Sequence, residues 1–310
     1  MNRRLVIFVT LLAVCLCELP PARGQMSVVI KADEQFRFAE SYFQQGEYYR
    51  AISEYERFLH FFPEDPRVEL VSYKVGQSYL NGKRFKQAIG AFNVLIEKYR
   101  NTKFTVKAYV RLAECHQKLK DPQKALGTLD KLLTVSDKTE IRDEIFYRKG
   151  WIYLDMDKWE KAQTFFDKIS PANREIYRLK QLSEEMNKKK FLKIKNPSAA
   201  GWLAILPGAG HLYCERYRDA FIAFLLNSAM ILAAYEAFDH DNEALGGLIA
   251  FFELGLYSGN IYSAANCAHK YNRKQKQEFL QYLKEHSVLE TSAGKIDQGY
   301  AVALSYKFTF

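Results

Sequence analysis

The chain has 310 residues, with 45 lysines and arginines against 36 aspartates and glutamates, a net charge of +9. That length accommodates a repeat domain and a second region. Its five cysteines include no CxxC pair, which argues against a disulfide framework and against a structural zinc site.

In chain order, Met1-Asn2-Arg3-Arg4 is basic, Leu5 to Cys17 is apolar, and Ala22-Arg23-Gly24 supplies small residues at a cleavage position. This describes a secretory signal over residues 1–24, cut before Gln25. Two other readings stay open: an uncleaved anchor, and a lipoprotein processed at Cys15 after Leu12-Ala13-Val14. All three carry the chain out of the cytoplasm, which with the absence of a recognised binding module leaves nucleic acid a poor explanation for the charge.

Residues 33–170 repeat with a step of 37. Ala51, Ala88, Ala125 and Ala162 mark the register, and twelve residues before each stands Ala39, Gly76, Ala113 or Gly150. Nine before comes Tyr42, Tyr79, His116 or Tyr153, and four after comes Tyr55, Phe92, Leu129 or Phe166. Small residues where two helices cross, with large ones between, predict four helix pairs. Turns are expected at Gly46, Gly82, Asp121-Pro122 and Asp157, and Pro63 and Pro66 close the first unit. Cys115 reads as a small buried hydrophobe and His116 as a core histidine.

This order of small residue, Tyr, Ala and Phe resembles the tetratricopeptide repeat, with His116 and Leu129 as departures. The resemblance implies an array of stacked helix pairs that binds a protein or peptide on its concave face. Inner-helix positions two before and five after the small residue are the candidate contacts: Arg37, Gln44, Lys74, Asn81, Arg111, Lys118, Arg148 and Asp155, all exposed by pattern. The period is also similar to that of periplasmic repeat proteins such as the outer-membrane-assembly lipoprotein. Residues 171–196 are expected to supply a capping helix over the last apolar face and a Lys-rich linker.

Composition then changes. Ala220–Phe238 and Ala244–Ala265 are apolar stretches long enough to cross a bilayer, joined by the short acidic loop Asp239-His240-Asp241-Asn242-Glu243. An antiparallel transmembrane hairpin follows, within a membrane domain over 199–276. Just before it, Pro207-Gly208-Ala209-Gly210-His211-Leu212-Tyr213 resembles the Pro-Gly-x-Gly-x-x-Tyr signature of small bacterial two-helix membrane domains. The motif residues Pro207, Gly208, Gly210 and Tyr213 are expected to form a tight turn at the interface, with Trp202 and Tyr213 at headgroup level.

Polar residues within the spans usually face a partner. Asn227 and Glu253 lie at depths differing by about 3 Å at the helical rise of 1.5 Å per residue. They are expected to approach one another, with Tyr257 and Asn260 on the same face. Helix–helix adhesion and an ion or proton path are the two roles this allows.

Basic residues crowd both flanks of the hairpin, from Lys188 to Lys195, at Arg216 and Arg218, and from Lys270 to Lys276. Positive-inside bias would place these in the cytoplasm, whereas the signal places the repeats outside. Either Ala199–Tyr213 crosses as a third pass, or the hairpin crosses twice and the basic flanks stay with the repeats. The Lys-rich segment then either rests on anionic headgroups or is a solvated linker.

The tail over 277–310 ends in strict alternation, Tyr300, Val302, Leu304, Tyr306, Phe308 and Phe310 on one face, which reads as a strand-like segment similar to the last strand of outer-membrane barrels. No catalytic constellation, phosphate loop or metal cluster appears. His211 and Glu215 share a helix face, but two ligands do not make a site. The fold class is therefore all-α: a tetratricopeptide-type solenoid, a transmembrane hairpin and a strand-like tail. The function expected is a cell-envelope scaffold without enzyme activity, metal or cofactor, its repeats periplasmic and its hairpin in the inner membrane. Its partners are a protein or peptide and membrane lipid, with no nucleic acid. The alternatives are a transport component using Glu253 and Asn227, or an accessory factor in outer-membrane protein assembly.

Overall fold

A computed structural model describes residues 30–287, so the signal and the strand-like tail lie outside the described residues. The chain divides into two compact units at Thr128/Leu129. The first holds α1 (Ala32–Gln44), α2 (Tyr48–Phe61), α3 (Val68–Asn81), α4 (Phe85–Lys98), α5 (Lys103–Lys118) and the start of α6 (Pro122–Val135). The second holds the end of α6, α7 (Thr139–Asp155), α8 (Trp159–Asp167), α9 (Pro171–Arg174), α10 (Leu179–Asn187) and a 3₁₀ turn at Lys188–Phe191. It continues through α11 (Pro197–Leu203), α12 (Ala209–Tyr213), α13 (Tyr217–Asp239) and α14 (Glu243–Ser287). Every described element is helical, as the all-α reading expects.

The helix pairs form because the small register positions disappear inside them. Ala39, Ala51, Ala88 and Ala162 have no exposed surface. A Cβ built on Gly76 would stand 2.5 Å from the Phe92 ring, and one on Gly150 would overlap the Phe166 ring. At Gly76 and Gly150 only hydrogen fits beneath the aromatic of the second helix, whereas the first unit accommodates Ala39 and Tyr55 in one core. In the first unit Tyr55, Phe58, Val71 and Val75 form one core, and Tyr73, Phe92, Leu95 and Leu112 the next.

The connecting turns keep the step of 37 in the backbone itself. Gly46, Lys83, Lys120 and Asp157 all take positive φ, between 58° and 78°. At each, the following amide donates to the carbonyl of Tyr42, Tyr79, His116 or Tyr153, at 2.8 to 2.9 Å. This is the six-to-one closure that ends a helix on a left-handed residue. The turn residues expected from composition, Gly82 and Asp121-Pro122, therefore sit one position off the second and third pivots. Gly82 is the residue just before its pivot, and Asp121 caps α6 by accepting from the Lys124 amide at 3.1 Å. The connections α12–α13 and α13–α14 use the same closure, pivoting on Glu215 and Asp241.

The first repeat is pinned by one charged knot. Arg67 donates to both carboxylate oxygens of Asp65 at 2.8 Å and to Asp33 at 2.6 Å, with its guanidinium over the Phe36 and Phe58 rings. The hydrogen bonds from Arg67 hold the Asp65 carboxyl down at about 2, against an ordinary 3.8. A carboxylate with a depressed native pKa stabilises the fold fully above the unfolded value and loses that contribution as pH falls toward the native one. Acidification from pH 3.8 to about 2 is thus expected to lower the melting temperature. Asp65→Asn should melt lower at neutral pH and change less across that window, as read by circular dichroism.

Candidate functional site

Two sets of residues carry functional interest: the polar surface of the repeats, and the small helices that seat the hairpin. Of the expected contacts, Arg37, Gln44, Asn81, Lys118 and Asp155 are exposed. Lys74, Arg111 and Arg148 are not: they are half-buried and engaged with Glu40, Glu114 and Glu144, at 2.9, 2.8 and 2.6 Å. The pattern of inner-helix positions does not reveal these carboxylate partners, which come from neighbouring turns and from the preceding repeat. Asp155 is bound as well, accepting from Lys284 at 2.7 Å.

A residue outside the expected set changes the charge of this surface. Lys107 on α5 is half-buried, and burial lowers its pKa, helped by the like charges of Lys103, Arg111 and Lys74. Four cations therefore gather on α3 and α5, two of them already paired with carboxylates. Lys103, Lys107 and Arg111 stand at helical spacing in the sequence, but only the fold joins them to Lys74 on another helix. His116 is half-buried, with its pKa lowered first by burial. Cys115 is buried, which pushes its thiol up to about 12 and leaves it an inert core residue. Among the described residues no three histidine, cysteine or acidic side chains gather as a metal site.

In the second region the motif Pro207-Gly208-x-Gly210-x-x-Tyr213 has a packing reason at each glycine. Gly208 has φ of +83°, and a Cβ there would overlap the Ala220 carbonyl of α13. On Gly210 it would overlap the Ala200 carbonyl of α11 and come within 2.7 Å of the Ala264 methyl of α14. The Tyr213 hydroxyl accepts from the Asn196 amide at 3.1 Å. The motif is thus the point where four helices close on one another.

The same end of the hairpin is ringed by polar contacts. Asn272 exchanges two hydrogen bonds with the Lys195 backbone, both 2.8 Å. Lys195 pairs with Glu215 at 3.2 Å, and the Tyr271 hydroxyl reaches the same carboxylate at 3.4 Å. Residues 195–196, 213–215 and 271–272 therefore stand at one level, so 197–213 leaves that level and returns to it.

Helices α13 and α14 are each long and apolar enough to cross a bilayer. Their apolar windows are only 6% and 17% buried, unlike the core helix of a soluble domain. Asn227, Glu253 and Asn260 are buried, but Asn227 and Glu253 do not hydrogen-bond to each other. Asn227 donates instead to the Ala223 carbonyl at 2.6 Å, its own preceding turn, and both Glu253 oxygens lack a partner among the described residues. The acceptor one turn back on the same helix captures the Asn227 amide. Tyr257 is drawn away too, donating to the Ile205 carbonyl at 2.6 Å.

Helix α14 does not stop at the end of the apolar stretch. It continues to Ser287, and Phe279, Leu280 and Leu283 join the core of Leu154, Trp159, Phe166, Leu179 and Leu182. The Phe279 and Trp159 rings stack at 5.8 Å, and Lys276 pairs with Asp157 at 2.5 Å. The last apolar face of the repeats is covered both by α10 and by the end of the hairpin helix.

Residues 28–130 match the family model YfiO, described as an outer membrane lipoprotein. No curated protein matches the chain. Among solved structures, a tetratricopeptide repeat protein from Parabacteroides merdae aligns over 81% of this chain and 98% of its own, at 16% identity and TM-score 0.41. MamA from Desulfovibrio magneticus covers 55% and 94% at 17% identity and TM-score 0.38. Aspartyl phosphate phosphatase F from Bacillus subtilis covers 73% and 59% at 14% identity and TM-score 0.42. With the helix pairs and their step of 37, the match over 28–130 makes the first region a tetratricopeptide-type helical-repeat array similar to the outer membrane lipoprotein family.

Proposed function

We propose that the chain is a cell-envelope scaffold, a repeat array that binds a protein segment and is held to a membrane by its own terminal helix. The observation that carries this reading is α14, one unbroken helix with a lipid-compatible first half and a last half seated in the fourth repeat's core. A helix bound at one end to the repeats and at the other to a two-pass hairpin requires both flanks to lie on the side of the repeats. The level return of 197–213 supports two passes over three. With a secretory signal, that side is the periplasm.

The cations Lys74, Lys103, Lys107 and Arg111 make an acidic segment the partner chemistry this surface favours. The match to an outer membrane lipoprotein family gives weight to a second reading, an accessory factor in outer-membrane protein assembly.

The test is side-selective labelling in intact and inverted vesicles, using single cysteines placed at Lys158, His269 and Asp241. The native cysteines among the described residues, Cys115, Cys214 and Cys267, are buried and give little background, and Cys15 and Cys17 are replaced by serine. Positions 158 and 269 are expected to label from one side and 241 from the other. Labelling of 241 together with 158, with 269 on the opposite side, would make three passes right and the proposed anchoring wrong.

A further inference from the structure

The segment 197–213 is short, breaks at Pro207-Gly208 and exposes apolar side chains around its turn: Trp202 is 74% exposed, Leu206 69% and Ile205 47%. Both its ends are tied at one level by Asn196 to Tyr213 and by Lys195 to Glu215 and Asn272. Such a segment enters a leaflet and leaves by the same face. Around its base stand Lys193, Arg218, Lys270 and Arg273, all exposed and none in an ion pair among the described residues. Each lies within three residues of a member of the tied ring. They come from three separate stretches of chain that only the fold brings together. The opposite loop of the hairpin carries Asp239, Asp241 and Glu243 and no lysine or arginine, so the anchor is polarised along its length.

We infer that 197–213 is a one-leaflet wedge and that Lys193, Arg218, Lys270 and Arg273 form a belt binding the headgroups of anionic phospholipid in that leaflet. The inference rests on the membrane reading above. The wedge opens the lipid surface and the cations border it. A cation near an anionic lipid surface contributes about 1 kcal/mol, roughly a fivefold preference per charge. Glu215, Asp219 and Glu278 lie nearby, but Glu215 is neutralised by Lys195, Asp219 by Arg216 and Glu278 by Lys274.

The test uses the full chain in neutral detergent, given phosphatidylglycerol or phosphatidylcholine, with retained lipid read by native mass spectrometry. The native chain is expected to retain phosphatidylglycerol at least tenfold better. Changing all four cations to glutamine should reduce that preference to near parity while leaving the circular dichroism spectrum unchanged, since none has a partner to lose. Added salt should weaken the preference of the native chain alone. Equal retention of the two lipids by the native chain, or an unaltered preference in the variant, overturns the belt. A belt that instead captures acidic protein or nucleic acid in competition with phosphatidylglycerol overturns it too. A chain that stays monodisperse without detergent and carries no lipid defeats the membrane reading itself, a distinct result.

Discussion

Leu283→Ala is expected to destabilise the fourth repeat by about 3 kcal/mol, the usual cost of emptying a fully buried leucine site. Leu283 has no exposed surface and lies among Leu154, Leu179, Leu182 and Met186. Those residues belong to helices far from it in sequence, so its loss leaves a cavity that α14, fixed by its hairpin, cannot close by sliding. The effect should appear as faster amide exchange over residues 154–186 and a lower melting temperature of the second unit. Unchanged exchange there would mean that the end of α14 is not part of the core. The partly exposed ion pair of Lys284 with Asp155, by contrast, is worth under about 1 kcal/mol.

The other large effect is at Gly150. A methyl there overlaps Phe166, a side chain only 3% exposed with no space to swing into. Alanine normally gains about 1 kcal/mol over glycine inside a helix. Here overpacking, typically 1–3 kcal/mol, outweighs that gain, and Gly150→Val should approach the loss of folding in this unit. The cause can be isolated: Phe166→Leu in the Gly150→Ala chain should recover part of the stability, although Phe166→Leu alone destabilises. The third unit already carries the compensated pair in its sequence, Ala113 with Leu129. A Gly150→Ala chain as stable as the native one would remove the steric account of the repeat.

The repeats were legible because their signal is repeated: four alanines in register with small and aromatic neighbours constrain one another. The turn pivots were less so. Composition points to glycines and aspartates for a left-handed residue after a helix, but Lys83 and Lys120 take that geometry with the closing hydrogen bonds. The hairpin is legible from length and hydropathy, whereas the continuation of α14 is not marked by hydropathy. Its cue was present in Phe279, Leu280 and Leu283, apolar residues at helical spacing with no proline or glycine before Ser287. Charge did not show which side chains were spoken for. Lys74, Arg111 and Arg148 carry the pattern of exposed contacts, and their carboxylate partners are set by packing between turns and helices. Asn227 and Glu253 were matched by depth, but depth does not fix the side chain's choice of acceptor.

The central claim, that the helix emerging from the membrane hairpin seats itself on the last repeat, is tested most directly by zero-length carbodiimide crosslinking of the native chain in its own membranes. Lys276 to Asp157 and Lys284 to Asp155 stand at 2.5 and 2.7 Å, and an amide bond between each pair should be recovered by peptide mass spectrometry. Lys188 to Glu185, a pair within one stretch of chain at 2.7 Å, provides the internal control. Recovery of the control without either long-range bond would contradict the seated helix and the anchoring built on it.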